Sequence, residues 1–520
     1  MKKPPVLHPF LFALFIILAL YAHSTKMIPL TFNEIAIPLG LILSGSAMIY
    51  FFLKTLIKHP RTAGILVSLF LIWFFAFEHI KKHLRISISN ELFLIINLVL
   101  LASIFIVAIR SKKDHIALTR YLNIVAALLV VYNLAGASRL LLHTININTS
   151  HPAARSSSSA RLPNVFFILL DAYGRADVLS EIYEFDNSEF VKDLEQKGFY
   201  VAAQSPAGYC YTDLSLASAL NLTYLDELAA RVGPQSSNRR PLFQMIRSNQ
   251  VRRLLKDQGY SFVSFSSGYY GTEIPSADFH VHFTGASTEF RNFLITSTPL
   301  AIFFSKLLNS SQFDIHRNRI LGAFQALSSF SCPKSPCFIF AHIFSPHPPF
   351  VFGKNGENIN PGEFSIDDGS DITGFDKTKL QQYIMSYRDQ LSFINKKIIE
   401  TVDSVLEKSE VPPIIILQSD HGPRAFLSVK DADASYLRES MAVLNAIYLP
   451  GGDYHEFYQG ISPVNTFIAL INRITGTSKP FLKDKSSYST WEHPYDFVPF
   501  DASTYSKTLS SFRDAEKQER

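Results

Sequence analysis

Residues 413–421 read PIIILQSDH, an apolar run that is followed at once by an aspartate and a histidine. A short, continuously apolar run is typical of a strand that is buried on both faces of a parallel sheet. Two other runs have the same character, NVFFILL at 164–170 and CFIFAHIF at 337–344. Helices are predicted between the runs, including 187–197, 242–257 and 381–408. This alternation predicts a doubly wound α/β domain with a mostly parallel central sheet.

Polar side chains come at or just after the end of each run. Asp171 follows the first run, His342 and His347 lie at the end of the second, and Asp420 and His421 follow the third. In open α/β sheets, ligands bind outside the carboxyl ends of the strands. Each motif alone is typical of a turn, a helix cap or a core histidine. Together, their carboxylates and imidazoles predict a site for a divalent metal ion such as Zn²⁺ or Mn²⁺.

Thr212 opens a strongly helical run within SPAGYCYTDLSLASALNLTYLD at 205–226. The free backbone N–H groups at a helix start attract anions. A hydroxyl there that also contacts a metal ion can act as a nucleophile toward phosphorus or sulfur. The alternative is that Thr212 is an ordinary N-cap, although Ser215 three residues later does not complete a capping box.

The first 150 residues differ in composition from the rest of the 520-residue chain. They contain 14 Lys and Arg against 4 Asp and Glu, whereas the remainder contains 35 against 40. Because the basic residues flank apolar stretches, they indicate membrane-flanking charge and not a nucleic-acid surface. Apolar stretches near the length needed to cross a bilayer are found at about 9–23, 35–57, 62–79, 91–109 and 118–140.

Loop charges predict how these stretches are oriented. The proposed cytoplasmic loops hold nine Lys and Arg and the opposite loops hold five, although KKHLR at 81–85 lies on the less expected side. The stretch 9–23 is either a first span or a cleaved signal peptide, and both alternatives place the downstream domain outside. We therefore expect a multi-pass membrane protein with an extracytoplasmic domain.

The predicted domain organisation has four parts. Residues 1–142 form a transmembrane anchor of about five helices, and the Ser-, Asn- and Pro-rich residues 143–162 form a linker. Residues 163–500 form the extracytoplasmic catalytic domain, and residues 501–520 form a polar tail.

Four motifs in this order resemble the alkaline-phosphatase/sulfatase superfamily: PNVFFILLDAYGR, YTDLSLASALN, HIFSPHPPF and QSDHGP. The match is to its membrane-anchored bacterial branch, which includes phosphoethanolamine transferases and lipoteichoic acid synthases. The resemblance implies an alkaline-phosphatase-like fold, with Asp171, Thr212, Asp420 and His421 as metal ligands and Thr212 as the nucleophile. It also implies that His342 and His347 face the substrate phosphate or leaving group. The bacterial branch further implies a bacterial inner membrane, with the catalytic domain periplasmic or extracellular.

Three departures from the family pattern refine these expectations. Ala172 stands where two-metal phosphatases have a second acidic residue, so we expect one metal ion. Cys210 lacks the Cys-x-Pro-x-Arg setting of sulfatases and is interpreted as structural or incidental. After the Asp-His pair, this chain continues with Gly-Pro-Arg where phosphoethanolamine transferases have Gly-Glu-Ser. We therefore expect Arg424 to contact a substrate anion. This departure leaves the identity of the donor head group open.

These features favour transfer of a phospho-linked group from a membrane phospholipid to a glycan or lipid acceptor. The alternatives are a sulfatase-like or phosphodiesterase-like hydrolase, and an inactive membrane-anchored binding protein. Three smaller questions stay open at this point. Cys332 and Cys337 are either a disulfide or two thiols, 353–379 is either a lid or a surface loop, and for His280 and His282 we favour a structural role.

Overall fold

The computed structural model describes residues 3–24, 32–83, 88–110, 114–147, 162–283, 294–433 and 435–501. The chain divides into two compact units. The first comprises Met1–Ala154 and Thr284–Gln312, and the second comprises Arg155–Phe283 and Phe313–Arg520. The described residues 294–312 interrupt the predicted catalytic domain in sequence, and their apolar composition alone did not indicate that they belong to the first unit.

The first unit begins with helices that coincide with the predicted apolar stretches: α1 (His8–Ser24), α2 (Phe32–Ile57), α3 (Pro60–His83), α4 (Asn90–Arg110) and α5 (Ile116–Ile147). Among the described residues, four segments are long and apolar enough to cross a membrane: Ile35–Ile57, Pro60–Lys81, Asn90–Arg110 and Ile116–Leu134. A shorter apolar helix covers His8–Tyr21. Helix α5 continues to Ile147, within the predicted linker, and 148–161 lie outside the described residues.

The second unit contains short strands separated by helices. The strands are β1 (Val165–Leu170), β2 (Phe199–Val201), β3 (Ser261–Phe265), β4 (Phe279–Val281), β5 (Cys337–Ile343), β6 (Ile414–Gln418), β7 (Asn445–Tyr448), β8 (Ser486–Tyr488) and β9 (Val498–Phe500). The helices are α6 (Ala176–Tyr183), α7 (Ser188–Gln196), α8 (Thr212–Ala219), α9 (Asp226–Val232), α10 (Arg240–Arg247), α11 (Gln250–Asp257), α12 (Leu300–Ser328, which begins in the first unit), α13 (Ser370–Thr373), α14 (Lys377–Lys408), α15 (Leu437–Met441) and α16 (Pro463–Thr475).

The predicted helix at 242–257 is wrong as a single element. The chain forms two helices there, α10 and α11, which are separated at Ser248 and Asn249. The Asn249 side chain accepts a hydrogen bond from the Arg252 backbone N–H at 2.7 Å, which caps the second helix. The apolar period continues across this break, so periodicity alone did not reveal it.

The main sheet has the strand order β2-β7-β6-β1-β5-β3-β4. Strands β6, β1, β5, β3 and β4 are parallel, whereas β7 runs antiparallel to both of its neighbours. All residues of β1, β5 and β6 are buried, as their continuous apolar sequences predict. The predicted fold class, apolar helices followed by a mostly parallel α/β domain, is confirmed.

Alternate residues of β1 enter two separate cores. Val165, Phe167 and Leu169 pack in a core that includes residues of α8, α11 and α16. Phe166 and Ile168, on the other face, pack in a core that includes residues of α6 and α14. Because helices cover both faces of the sheet, the polar residues that follow these strands lie at the carboxyl ends of the strands and not on a solvated face.

Candidate metal centre and active site

Three predicted ligands meet at the carboxyl ends of the two central strands β1 and β6. Asp171 follows β1 directly, and Asp420 and His421 follow its neighbour β6. One ligand atom from each of the three lies within 4.8 Å of the others, and all three residues are buried. Among the residues that the structure describes, this is the group of three acids and histidines with the geometry to hold a metal ion.

One carboxylate oxygen of each aspartate in this group points toward His421 and has no hydrogen-bond partner in the described part of the chain. Asp171 Oδ1 and Asp420 Oδ2 are buried and have no hydrogen-bond partner among the described residues. They lie 3.6 Å and 3.4 Å from His421 Nε2. His421 Nδ1 faces the Gly422 carbonyl at 2.8 Å, so it carries the ring proton and leaves a lone pair on Nε2. Two carboxylate oxygens and an imidazole lone pair that face each other fit a cation.

Thr212 contributes a hydroxyl to the same point. It is the first residue of α8, whose N-cap is Tyr211, so the predicted alternative of a Thr212 N-cap does not describe the helix start. Its Oγ1 lies 3.4 Å from His421 Nε2. Thr212 is 7% exposed, whereas Asp171 and His421 are fully buried. Thr212 is therefore the most exposed residue of the group.

His342 and Thr272 extend the bonding network behind Asp171. His342 Nε2 lies 2.9 Å from Asp171 Oδ2, and its Nδ1 lies 2.7 Å from Thr272 Oγ1. A carboxylate accepts only, so Nε2 donates to Asp171 and Nδ1 accepts from the Thr272 hydroxyl. Burial would raise the pKa of Asp171, but nearby His347 and the bond from His342 hold that pKa below its usual range. Both ring nitrogens of His342 are thus bonded within the protein. Thr272 was missed from sequence because an isolated threonine carries no motif.

His347 and Arg424 form a second buried group beside the first. His347 Nδ1 donates to the Pro348 carbonyl at 2.6 Å, and its Nε2 accepts from Arg424 Nη2 at 2.9 Å. Arg424 Nε donates to Asp368 Oδ2 at 2.9 Å, and Tyr383 donates to Asp368 Oδ1 at 2.7 Å. Burial would raise the pKa of Asp368, but the Arg424 guanidinium holds that pKa below its usual range.

Asp368 places part of the predicted lid or loop 353–379 against this group. The residue is 5% exposed, and the turn after it forms helix α13. Sequence reasoning missed Asp368 because its neighbours, Ser365, Ile366 and Asp367, are typical of a surface loop.

Glu439 stabilises the loop that follows Asp420 and His421. The Glu439 carboxyl group accepts hydrogen bonds from the Ala425 and Phe426 backbone N–H groups at 3.0 and 2.8 Å, and from the Tyr183 hydroxyl. A Cβ atom on Gly422 would lie 2.2 Å from the Glu439 carbonyl oxygen. Glycine is therefore required where the loop turns after His421.

The cysteine side chains do not belong to these groups. Cys210 is buried and its Sγ lies 3.7 Å from the Ser489 carbonyl, and burial raises the pKa of its thiol to about 11. Such a thiol stays protonated and unreactive at neutral pH. Cys332 and Cys337 form a disulfide bond.

A cavity of about 360 Å³ is lined by Tyr269 and Phe344, whose rings contact His342 and His347. The Tyr269 ring lies 6.2 Å from the His342 ring, and the Phe344 ring lies 4.4 Å from the His347 ring. Hydroxyl, imidazole and guanidinium groups complete the lining, from Ser267, His316, Arg319 and Ser365. The cavity therefore offers polar and aromatic contacts next to the candidate metal centre.

No protein-family model matches the sequence, and no curated protein sequence matches it. Solved structures with a similar fold include the C-terminal periplasmic domain of EptC from Escherichia coli, which is 11% identical with a TM-score of 0.44 over 68% of this chain and 97% of that chain. A second structure of that domain is a complex with Zn. The corresponding domain of the phosphoethanolamine transferase EptC from Campylobacter jejuni is 10% identical, with a TM-score of 0.39 over 62% and 92% of the two chains.

The phosphonate monoester hydrolase of Agrobacterium radiobacter is 14% identical, with a TM-score of 0.40 over 63% of this chain and 80% of that chain. These neighbours belong to the superfamily that the four sequence motifs resemble. At these levels of identity and superposition, the fold assignment rests on the strand order itself, and the function rests on the residues of the site.

Proposed function

We propose that this protein is a membrane-anchored, metal-dependent enzyme that transfers a phospho-linked head group from a membrane phospholipid to a glycan or lipid acceptor of the cell envelope. The observation that carries the proposal is the convergence of Thr212 on Asp171, Asp420 and His421. The inner carboxylate oxygens of the two aspartates have no hydrogen-bond partner among the described residues. We place the protein in a bacterial cell membrane with its second unit on the outer side.

The proposed ligands of a single Zn²⁺ or Mn²⁺ ion are Asp171, Thr212, Asp420 and His421. When bound, the ion would neutralise negative charge at the reacting phosphate and lower the pKa of the nearby hydroxyl. The chain fixes the geometry, because His342 orients Asp171 and the Gly422 carbonyl sets the tautomer of His421.

Thr212 is the proposed nucleophile. Its Oγ1 attacks the phosphorus of the donor, a bond from Oγ1 to phosphorus forms, and the bond from phosphorus to the diacylglycerol oxygen breaks. The hydroxyl proton of Thr212 is balanced by the proton that the leaving oxygen gains. An acceptor hydroxyl then attacks phosphorus, the bond to Oγ1 breaks, and the acceptor's proton restores the Thr212 hydroxyl.

His347 is the better proton carrier of the two predicted histidines. Both nitrogens of His342 are bonded to Thr272 and Asp171 behind the metal centre. In contrast, His347 Nε2 contacts Arg424, the proposed anion-binding residue, and lies 3.5 Å from Asp368 Oδ2. Arg424 is 8% exposed, and it would provide a fixed positive charge for the substrate anion. The adjacent cavity is where we expect the head group to lie.

The test is purified full-length Thr212→Ala, with Thr212→Ser as its matched control, assayed for diacylglycerol release from defined phospholipid vesicles. We expect the alanine variant to lose at least about 10³-fold in turnover, because the covalent step is removed, and the serine variant to retain part of it. Mass spectrometry of the wild type with donor but without acceptor should find a Thr212 peptide that carries the head group through its phosphate.

Near-normal turnover of Thr212→Ala would contradict the assignment of the nucleophile. Release of the head group to water at the same rate with or without acceptors would favour a hydrolase. A sulfatase-type reaction at Cys210 is disfavoured, because that thiol is fully buried and faces the Ser489 carbonyl.

A further inference from the structure

The first half of helix α12 carries an apolar face that is not packed. Leu300, Phe303, Phe304 and Leu307 are separated by three or four residues and so lie on one side of the helix. Phe303 is 71% exposed and Leu307 is 65% exposed, and the other two are also exposed. Four large apolar side chains on one face, two of them aromatic, form a surface that is costly to leave in water.

The residues before this helix locate it at one end of the membrane helices. Leu294 packs against the small apolar cluster of Ile17 and Ile35. Ile17 lies in the second half of α1 and Ile35 lies in the first turn of α2, so both are near the connection between these helices. The segment 294–312 thus belongs to the first unit at that end.

That end corresponds to the outer side of the membrane. If each of the four segments in α2 to α5 that can cross a membrane does so, the chain returns at the end of α5 to the side on which α2 starts. The end of α1 lies on that side as well, because Ile17 and Ile35 pack together. The chain leaves α5 on that side toward the second unit. Exposed apolar side chains of α2 near the same end, Ile37 and Leu41, continue the lipid-facing surface.

We propose that the first half of α12 is a membrane-surface helix, whose face of Leu300, Phe303, Phe304 and Leu307 inserts into the lipid of the outer leaflet. An interfacial helix of this kind buries its apolar face about 5–10 Å into the boundary between head groups and acyl chains. The helix ties the catalytic chain to the lipid surface at a second point, independently of the spans and of the proposed chemistry.

The test is a fluorescent label on single cysteines in the full-length protein in lipid nanodiscs. The chain suits this experiment because Cys210 is buried and Cys332 and Cys337 are bonded to each other. The environment-sensitive dye NBD is attached to Phe303→Cys and, separately, to Leu307→Cys. The matched control is Met385→Cys, which replaces an exposed apolar residue on α14 of the second unit.

We expect both labels on α12 to show blue-shifted emission and to lose most of their fluorescence to lipids that carry a nitroxide close to the head group. Nitroxides at the bilayer centre should quench less, and the label at position 385 should respond to neither. A blue shift without lipid quenching would mean that protein, such as a second copy, covers the face, and would overturn the proposal. Emission like that of a label in water, or equal quenching at position 385, would also overturn it.

Discussion

Two of the buried clusters of acid and histidine in the second unit look alike but differ in their charge balance. In the metal centre, Asp171 and Asp420 face His421 at 3.6 and 3.4 Å. In the other cluster, Glu273 on the β3–β4 connection faces His280 of β4 at 3.5 Å. Both clusters contain a carboxylate oxygen without a hydrogen-bond partner among the described residues. The difference is that the inner oxygens of two acids face one histidine nitrogen in the first cluster, whereas one acid faces its own histidine in the second.

That difference decides which cluster needs a cation. A protonated His280 would balance the charge of Glu273, whose other oxygen accepts from Ser266 and from the Gly268 N–H. A protonated His421 could balance only one of its two acids, and burial lowers the pKa of His421. Two buried carboxylates with one neutral imidazole leave uncompensated negative charge, which an apolar interior does not tolerate.

The largest expected effect comes from one isosteric change made in each cluster. Asp420→Asn should remove stoichiometric Zn²⁺ or Mn²⁺ from the purified protein and lower turnover by at least about 10³-fold, because an anionic ligand is lost. Glu273→Gln is the matched control and should leave both the metal content and turnover near wild type. Metal analysis by mass spectrometry together with diacylglycerol release measures both.

Equal loss of metal in the two variants would break the distinction between the clusters. Full metal occupancy in Asp420→Asn would remove Asp420 from the ligand set and leave the inner oxygen of Asp171 unexplained.

The next effect tests whether the network behind Asp171 tunes the metal centre. Thr272→Val keeps the shape of the side chain but removes the hydroxyl that lies 2.7 Å from His342 Nδ1. We expect metal affinity to weaken by about 10–100-fold, as is usual when a supporting hydrogen bond to a ligand is lost. Competition with a chelator measures the affinity, and Thr223→Val, at a hydroxyl outside both clusters, is the control. Unchanged affinity would mean that His342 orients Asp171 without help from Thr272.

The contrast between the clusters also shows how far sequence reasoning reaches. The runs before Asp171 and Asp420 are apolar on both faces, so their burial and the convergence of their ends could be predicted from local pattern and sheet topology. Asp368 could not be predicted in the same way, because it approaches Arg424 through a loop that has no period. Sequence reasoning placed residues 294–312 within the catalytic domain, since the apolar first half of α12 resembles a core helix in sequence.

A smaller effect concerns the stability of the metal-free protein. Neutralising one acid in each cluster should change the free energy of unfolding in opposite directions. After chelation, Asp171 and Asp420 repel each other, so Asp420→Asn should raise the free energy of unfolding by about 1 kcal/mol. Glu273→Gln should lower it by a similar amount, because it weakens the pairing with His280. Thermal unfolding in chelator should therefore show shifts of about 2–4 °C in opposite directions. Shifts of the same sign would show that repulsion between the two aspartates does not determine the stability of the site.

The last prediction uses Glu439, a buried acid whose oxygens accept three hydrogen bonds and which needs no cation. Burial raises the pKa of Glu439 from the ordinary 4.5 to about 8. The folded protein therefore holds this proton more tightly than the unfolded chain does. Its contribution to stability is complete below about pH 4.5 and is lost as the pH rises toward about 8. The difference in melting temperature between wild type and Glu439→Gln should thus fall between pH 5 and pH 8.

The exposed Glu407 on α14 provides the control, since Glu407→Gln should show no such trend. A difference for Glu439→Gln that is constant with pH would mean that the three donors keep this carboxylate ionised. Hydrogen bonds alone would then be enough to hold a buried charge beside the metal loop. Two acids that face one imidazole nitrogen would remain the feature that separates the metal site from a structural acid.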